Sequence, residues 1–111
     1  MHSRAEIRAD LVARLDRLAA LVERVESEQR MPLDDDSAEQ AIEREDDEAL
    51  DAQLRAADAE MQAIRHAIAR LDAGQYGLCT SCGTPIDAAR LAALPTATHC
   101  IACERERERG G

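Results

Sequence analysis

Cys79-Thr80-Ser81-Cys82, then seventeen residues, then Cys100-Ile101-Ala102-Cys103: this array holds all four cysteines of the chain. Two Cys-x-x-Cys knuckles at such a separation can wrap four thiolates tetrahedrally around a single Zn²⁺. A four-thiolate site is closed, with no bound water and no open Lewis-acid position. The metal is therefore expected to be structural, and the chain is not expected to be an enzyme. His99 adjoins Cys100, but with four thiols already available it is expected to be a surface residue and not a ligand. A Cys-x-x-Cys can also be a redox pair, a reading that usually needs one knuckle in a βαβ setting, and no such setting is visible here.

The rest of the 111 residues gives that staple its purpose. There is one tyrosine and no Phe or Trp, and most of the apolar content is Ala and Leu. Such a composition suits helices packed face to face and not a sandwich or barrel. With so few bulky side chains, a metal supplies what the core lacks. The formal net charge is −9; four thiolates add −4 and one Zn²⁺ adds +2, which takes it to −11. All fourteen basic residues are arginines, mostly interleaved with acids, so direct binding to nucleic-acid phosphate is disfavoured and a partner with a basic surface is favoured. No run approaches the ~20 apolar residues of a membrane span, and Met1-His2-Ser3-Arg4-Ala5-Glu6 shows no apolar signal region. The expected location is the cytoplasm, where thiols stay reduced and zinc is expected in place of disulfides. An exposed surface this acidic favours a monomer.

Upstream of the cysteines the pattern is that of two long helices. Ser3-Arg4-Ala5-Glu6 reads as a capping box. Ile7, Leu11, Leu15, Leu18, Val22 and Val25 follow, stepping by four and three from Leu11 onward as a coiled-coil seam does. Pro32 predicts an end near Met31. Leu33-Asp34-Asp35-Asp36 forms the turn, and a second helix is expected from about Asp36 or Ser37. Its seam is Leu50, Leu54, Ala57, Met61, Ile64, Ile68 and Leu71, and Gly74 closes it as a C′ glycine. The short turn implies an antiparallel hairpin. Pairing residues whose numbers add to about 68 sets Leu18 near Leu50, Leu11 near Ala57 and Ile7 near Met61. In that register Ile64, Ile68 and Leu71 outrun the first helix and need cover from Ile86, Leu91 and Leu94. The fold expected is all-α: an antiparallel two-helix coiled-coil hairpin over 1–73 with its tip near 32–41, followed over 74–111 by a small four-cysteine zinc-finger module and a short C-terminal helix. Glu104-Arg105-Glu106-Arg107-Glu108-Arg109 reads as that short, solvated helix.

The tip is strongly acidic. Turn and capping preferences account for Asp36 and Glu39. They account less well for the acids that follow at Glu43, Glu45, Asp46, Asp47 and Glu48, which repel one another. Both a capping role and a functional role stay open on the residues alone.

The segment from Gly74 through Tyr76, Gly77, Cys79, Cys82, Gly83 and Ile86, then Arg90-Leu91, Pro95, Ala97, Cys100 and Cys103, resembles the zinc-finger signature of the DksA/TraR family. That signature reads G-x-[YF]-G-x-C-x-x-C-G-x-x-I-x-x-x-R-L-x-x-x-P-x-A-x-x-C-x-x-C, and every fixed position is met. The resemblance implies a bacterial transcription factor that binds RNA polymerase without touching DNA. Its coiled-coil arm would enter the secondary channel, with acidic tip residues near the active centre. The family's tip motif, Asp-x-x-Asp-x-Ala, falls on Asp36-Ser37-Ala38-Glu39-Gln40-Ala41. It implies tip roles for Asp36 and Glu39, with Ala41 permitting close approach; the Glu carries its carboxylate one methylene further out.

Members that respond to the alarmone ppGpp use basic residues where this chain has Ala63, Leu94 and Glu104, so little or no ppGpp response is expected. A family arginine that grips the polymerase falls on Ala56, beside Arg55; Arg55 and Arg90 are the candidate docking residues. Two further readings stand beside this one: a zinc-stapled helical interaction module with a different protein partner, and a thiol-redox sensor.

Overall fold

The computed structural model describes residues 3–29 and 37–110, with side chains described over 3–28 and 48–110. Four helices follow in order: α1 (Arg4–Gln29), α2 (Ser37–Asp72), α3 (Ala88–Ala93) and α4 (Ile101–Gly110). The described residues contain no strand, only an isolated antiparallel bridge between Leu78 and Pro85. The fold is the expected all-α arrangement of a two-helix antiparallel coiled-coil hairpin, a small four-cysteine module and a short C-terminal helix. No described helix is long and apolar enough to cross a membrane.

Local chemistry explains where the long helices stop and start. The Ser3 hydroxyl accepts from the Glu6 N–H at 3.2 Å, and the Ser3 carbonyl takes the first helical bond from Ile7. This satisfies donors that a helix start otherwise leaves open. At the far end of α2, Gly74 sits at φ 72°. The Gly74 N–H donates to the Leu71 carbonyl, and the Gln75 N–H reaches back to the Arg70 carbonyl at 2.8 Å. This pair of bonds is a Schellman motif; it needs a left-handed residue at that point, which glycine adopts without Cβ strain. The expected first-helix end near Met31 and the turn at Leu33–Asp36 lie outside the described residues.

The chain forms two compact units. One comprises residues 13–62. There Leu15, Leu18, Val22 and Val25 of α1 and Leu50, Leu54 and Ala57 of α2 are the half-buried positions between exposed neighbours, and Met61 is buried. Arg14 Nε of α1 lies 3.8 Å from Glu60 Oε1 of α2.

The other unit comprises residues 1–12 with 63–111. Its buried residues are Leu11, Ile64, Ala67, Leu71, Cys79 and Ile86, with Ile64 fully enclosed at 0% exposure. Arg8 of α1 pairs with Asp72 in the last turn of α2.

These ion pairs correct the expected register. Pairing by a sum near 68 sets Arg8 opposite Glu60 and Arg14 opposite Leu54; the partners found are Asp72 and Glu60. The difference exceeds a helical turn at both points. A heptad seam fixes which face each helix buries but is unchanged when one helix slides by whole turns, so the seams were legible and their offset was not. Two details change with the register. Ala67, outside the expected seam, is buried, while Ile68 within it is only half-buried. Of the three residues expected to cover the end of α2, Ile86 is buried and Leu91 half-buried, but Leu94 is 51% exposed.

Candidate metal centre

The first knuckle is a tight turn built by backbone bonds. The Gly83 N–H donates to the Cys79 carbonyl at 2.9 Å, the Cys79 N–H to the Thr84 carbonyl at 2.8 Å, and the Ile86 N–H to the Gly77 carbonyl at 2.7 Å. Gly77 and Gly83 both take positive φ, 84° and 76°, where a side chain would strain the backbone. The second knuckle is a helix start. Cys100 precedes α4, its carbonyl accepts from the Glu104 N–H, and its sulfur accepts from the Cys103 N–H at 3.5 Å.

The four Sγ atoms of Cys79, Cys82, Cys100 and Cys103 all lie within 4.8 Å of one another. Cys82 Sγ and Cys100 Sγ are 3.8 Å apart. Zinc–sulfur bonds of about 2.3 Å in a tetrahedron give sulfur–sulfur edges of about 3.8 Å, the separation of Cys82 and Cys100, and the four sulfurs are close enough to hold one Zn²⁺. Neighbouring groups prepare the sulfurs unequally. Backbone hydrogen bonding from Cys100 and then Cys82 lowers the Cys79 thiol to about 5. The Thr84 hydroxyl, 2.9 Å from Cys82 Sγ, holds that thiol below its ordinary value as well. Cys103, hydrogen-bonded first to the Cys100 sulfur and also to those of Cys79 and Cys82, is pushed up to about 12. Thiols this close cannot all ionise unaided, and a dication removes the conflict by deprotonating its ligands outright. The site is a structural four-thiolate zinc site.

Residues around the cysteines tie the two knuckles together. The Thr80 N–H and hydroxyl both donate to the Thr98 carbonyl, at 2.9 and 3.2 Å. Tyr76 Oη donates to the Pro95 carbonyl at 2.7 Å. Arg90 Nε donates to the His99 carbonyl at 3.0 Å, immediately before Cys100. His99 is not the surface residue expected from sequence. Its side chain is 15% exposed, with Nε2 3.0 Å from the Thr80 hydroxyl and Nδ1 2.8 Å from the Thr98 hydroxyl. It braces the knuckles and lies outside the cluster of four ligand atoms. Thr80 carried no signal of this role, because its partners Thr98 and His99 are eighteen and nineteen positions away.

Of the other predicted site residues, Asp36 lies outside the described residues. Glu39 and Ala41 belong to the first turns of α2, with side chains outside those described. Arg55 is exposed on α2. Arg90 is half-buried and engaged within the finger.

The Prokaryotic dksA/traR C4-type zinc finger family matches residues 74–109. The chain is similar to the RNA polymerase-binding transcription factor DksA of Caulobacter vibrioides (strain NA1000 / CB15N), 44% identical over 46 residues, which is 41% of this chain and 32% of that protein. With a second curated relative it shares a stretch covering 43% of that protein, so the matches span less than half the length of either. Among solved structures it is similar to transcription factor DksA2 from Pseudomonas aeruginosa, with TM-score 0.76 and 29% identity over 96% of this chain and 83% of that one. It is also similar to the DnaK suppressor protein from Agrobacterium tumefaciens C58, with TM-score 0.63 and 29% identity over 96% and 95%. Residues 74–109 thus carry the DksA/TraR C4-type zinc finger, complete around its zinc ligands, and the chain shares the fold of the solved DksA proteins along nearly its whole length.

Proposed function

We propose that this protein is a bacterial transcription regulator that binds RNA polymerase through the secondary channel and modulates initiation. The carrying observation is the shared fold with DksA2, at TM-score 0.76 over 96% of the chain; the polymerase-binding name of the Caulobacter relative adds the partner. In this reading residues 1–73 form the arm and 74–111 the module at its base. Asp36 and Glu39 are the acidic tip, Ala41 lets it approach, and Arg55 is the docking residue on the arm. Arg90 acts mainly by positioning the finger, since its guanidinium donates to the His99 carbonyl. The protein works in the cytoplasm as a monomer, without direct DNA contact and without catalysis of its own, since a closed four-thiolate zinc offers substrate no open position. ppGpp has little effect through it, because Ala63, Leu94 and Glu104 supply no cation for a pyrophosphate and Glu104 repels one.

The test is capture of core RNA polymerase at micromolar protein, with crosslinking from position 36. Asp36→Asn with Glu39→Gln is then assayed for transcription from a ribosomal promoter, with and without ppGpp. Binding retained with regulation lost supports the reading. No binding ends it. Binding with regulation untouched leaves the tip as a helix cap and favours a zinc-stapled module acting on another partner.

A further inference from the structure

Arg70 lies in the last turn of α2 and is used twice. Its main-chain carbonyl accepts the Gln75 N–H that closes the helix, at 2.8 Å. Its guanidinium Nη2 crosses the same turn to donate to the Gln75 carbonyl at 2.9 Å and to the Leu78 carbonyl. Leu78 is the residue before the first ligand. Its own N–H donates to the Gln75 carbonyl at 3.3 Å, and it bridges to Pro85 across the knuckle. One planar side chain thus spans the whole link between the end of a helix and the start of a metal knuckle. A guanidinium suits this because Nη2 carries two N–H groups fixed in the guanidinium plane, one for each carbonyl.

We propose that Arg70 is a clasp that couples zinc loading of the first knuckle to the closure of the last turn of α2. It is a positioning residue for the metal and touches no ligand atom in doing so. The 74–78 loop can swing only if both carbonyl bonds break. Holding it places Cys79 before the metal arrives, and a bound metal in turn holds Leu78 where it keeps the clasp shut. Coupling of this kind is reciprocal: the factor by which zinc shifts the helix end from open to closed at equilibrium equals the factor by which the closed end binds zinc more tightly than the open one. Groups that hold a ligand without touching the metal typically change affinity by about 10- to 100-fold. The proposal goes beyond the polymerase reading and does not depend on it.

The experiment uses the full chain. Zinc affinity is measured by competition with a chromophoric chelator, and amide hydrogen exchange is followed over residues 68–78 with and without zinc. Arg70→Ala is compared with Arg65→Ala, another arginine of α2, exposed and away from the helix end. Arg70→Ala is expected to weaken zinc about tenfold. It should also abolish most of the zinc-dependent protection at Gly74, Gln75 and Leu78, although alanine is the better helix former. Arg65→Ala should change neither. Arg70→Lys keeps the charge at the helix end but replaces the planar Nη2, at the end of a longer side chain, with a freely rotating ammonium, and should recover only part of both effects. If Arg70→Ala does not fold, the lysine variant carries the test. The proposal is overturned by zinc affinity within twofold of the parent in Arg70→Ala, by a lysine variant indistinguishable from the parent, or by exchange at 70–78 that ignores zinc in the parent chain.

Discussion

Arg8 and Asp72 form a two-point ion pair between α1 and the last turn of α2, with Nε donating to Oδ1 at 2.9 Å and Nη2 to Oδ2 at 3.3 Å. The guanidinium's hydrogen bond holds the Asp72 carboxyl below the usual aspartate range. A depressed carboxylate stabilises the fold above its unfolded value, near pH 4, and that contribution is lost as pH falls through the lower folded value. Asp72→Asn should therefore melt below the parent at pH 7 by a margin that stays constant down to about pH 5 and shrinks on further acidification. Both groups are about half exposed, so the margin should also shrink with salt. A margin independent of pH would mean that Asp72 acts by packing and not by charge.

Burial divides α2 more sharply than its apolar seam does. Ile64→Ala, at a fully enclosed site, should cost about 2–5 kcal/mol by denaturant unfolding. Ile68→Ala, at a half-buried one, should cost less than half of that. Ala67→Leu should destabilise by about 1–3 kcal/mol through overpacking. Equal losses at 64 and 68 would restore the seam read from sequence.

Two glycines of the finger separate backbone strain from crowding. A Cβ at Gly83 meets nothing within 4 Å, whereas one at Gly77 comes to 3.3 Å from Leu91 Cδ1. Both positions have positive φ, so Gly83→Ala should cost about 1–2 kcal/mol of backbone strain. Gly77→Ala should cost more, because Leu91 must move as well. The comparison is made on zinc-loaded protein, and the reverse order would count against this placement of α3.

Chelation should dismantle the finger first. Among the described residues of the unit formed by 1–12 and 63–111, two of the six buried ones, Cys79 and Ile86, are presented by the first knuckle, and α3 is only six residues long. Helices that short do not persist alone in water. Removing zinc should therefore abolish protected amides over 79–104 and lower the helical circular dichroism, reversibly on adding zinc back under reducing conditions. An unchanged exchange pattern after complete chelation would show that the thiols are not the staple of this fold.

The chain by itself determined everything that depends on residues close along it: the two knuckles, the hydroxyl that starts α1, the glycine that ends α2, and the stripe each helix buries. Those features are written in spacings of three or four residues, and local stereochemistry reads them directly. Only the tertiary structure decided the offset between α1 and α2, the enclosure of Ala67 in preference to Ile68, the turning inward of His99, and the reach of Arg70 across the helix end. Each of these depends on groups brought together from distant parts of the chain or on a side chain choosing among several partners within reach. Sliding one helix by whole turns leaves its seam unaltered, so the offset is visible only in pairs such as Arg8 with Asp72, which meet once the chain has folded.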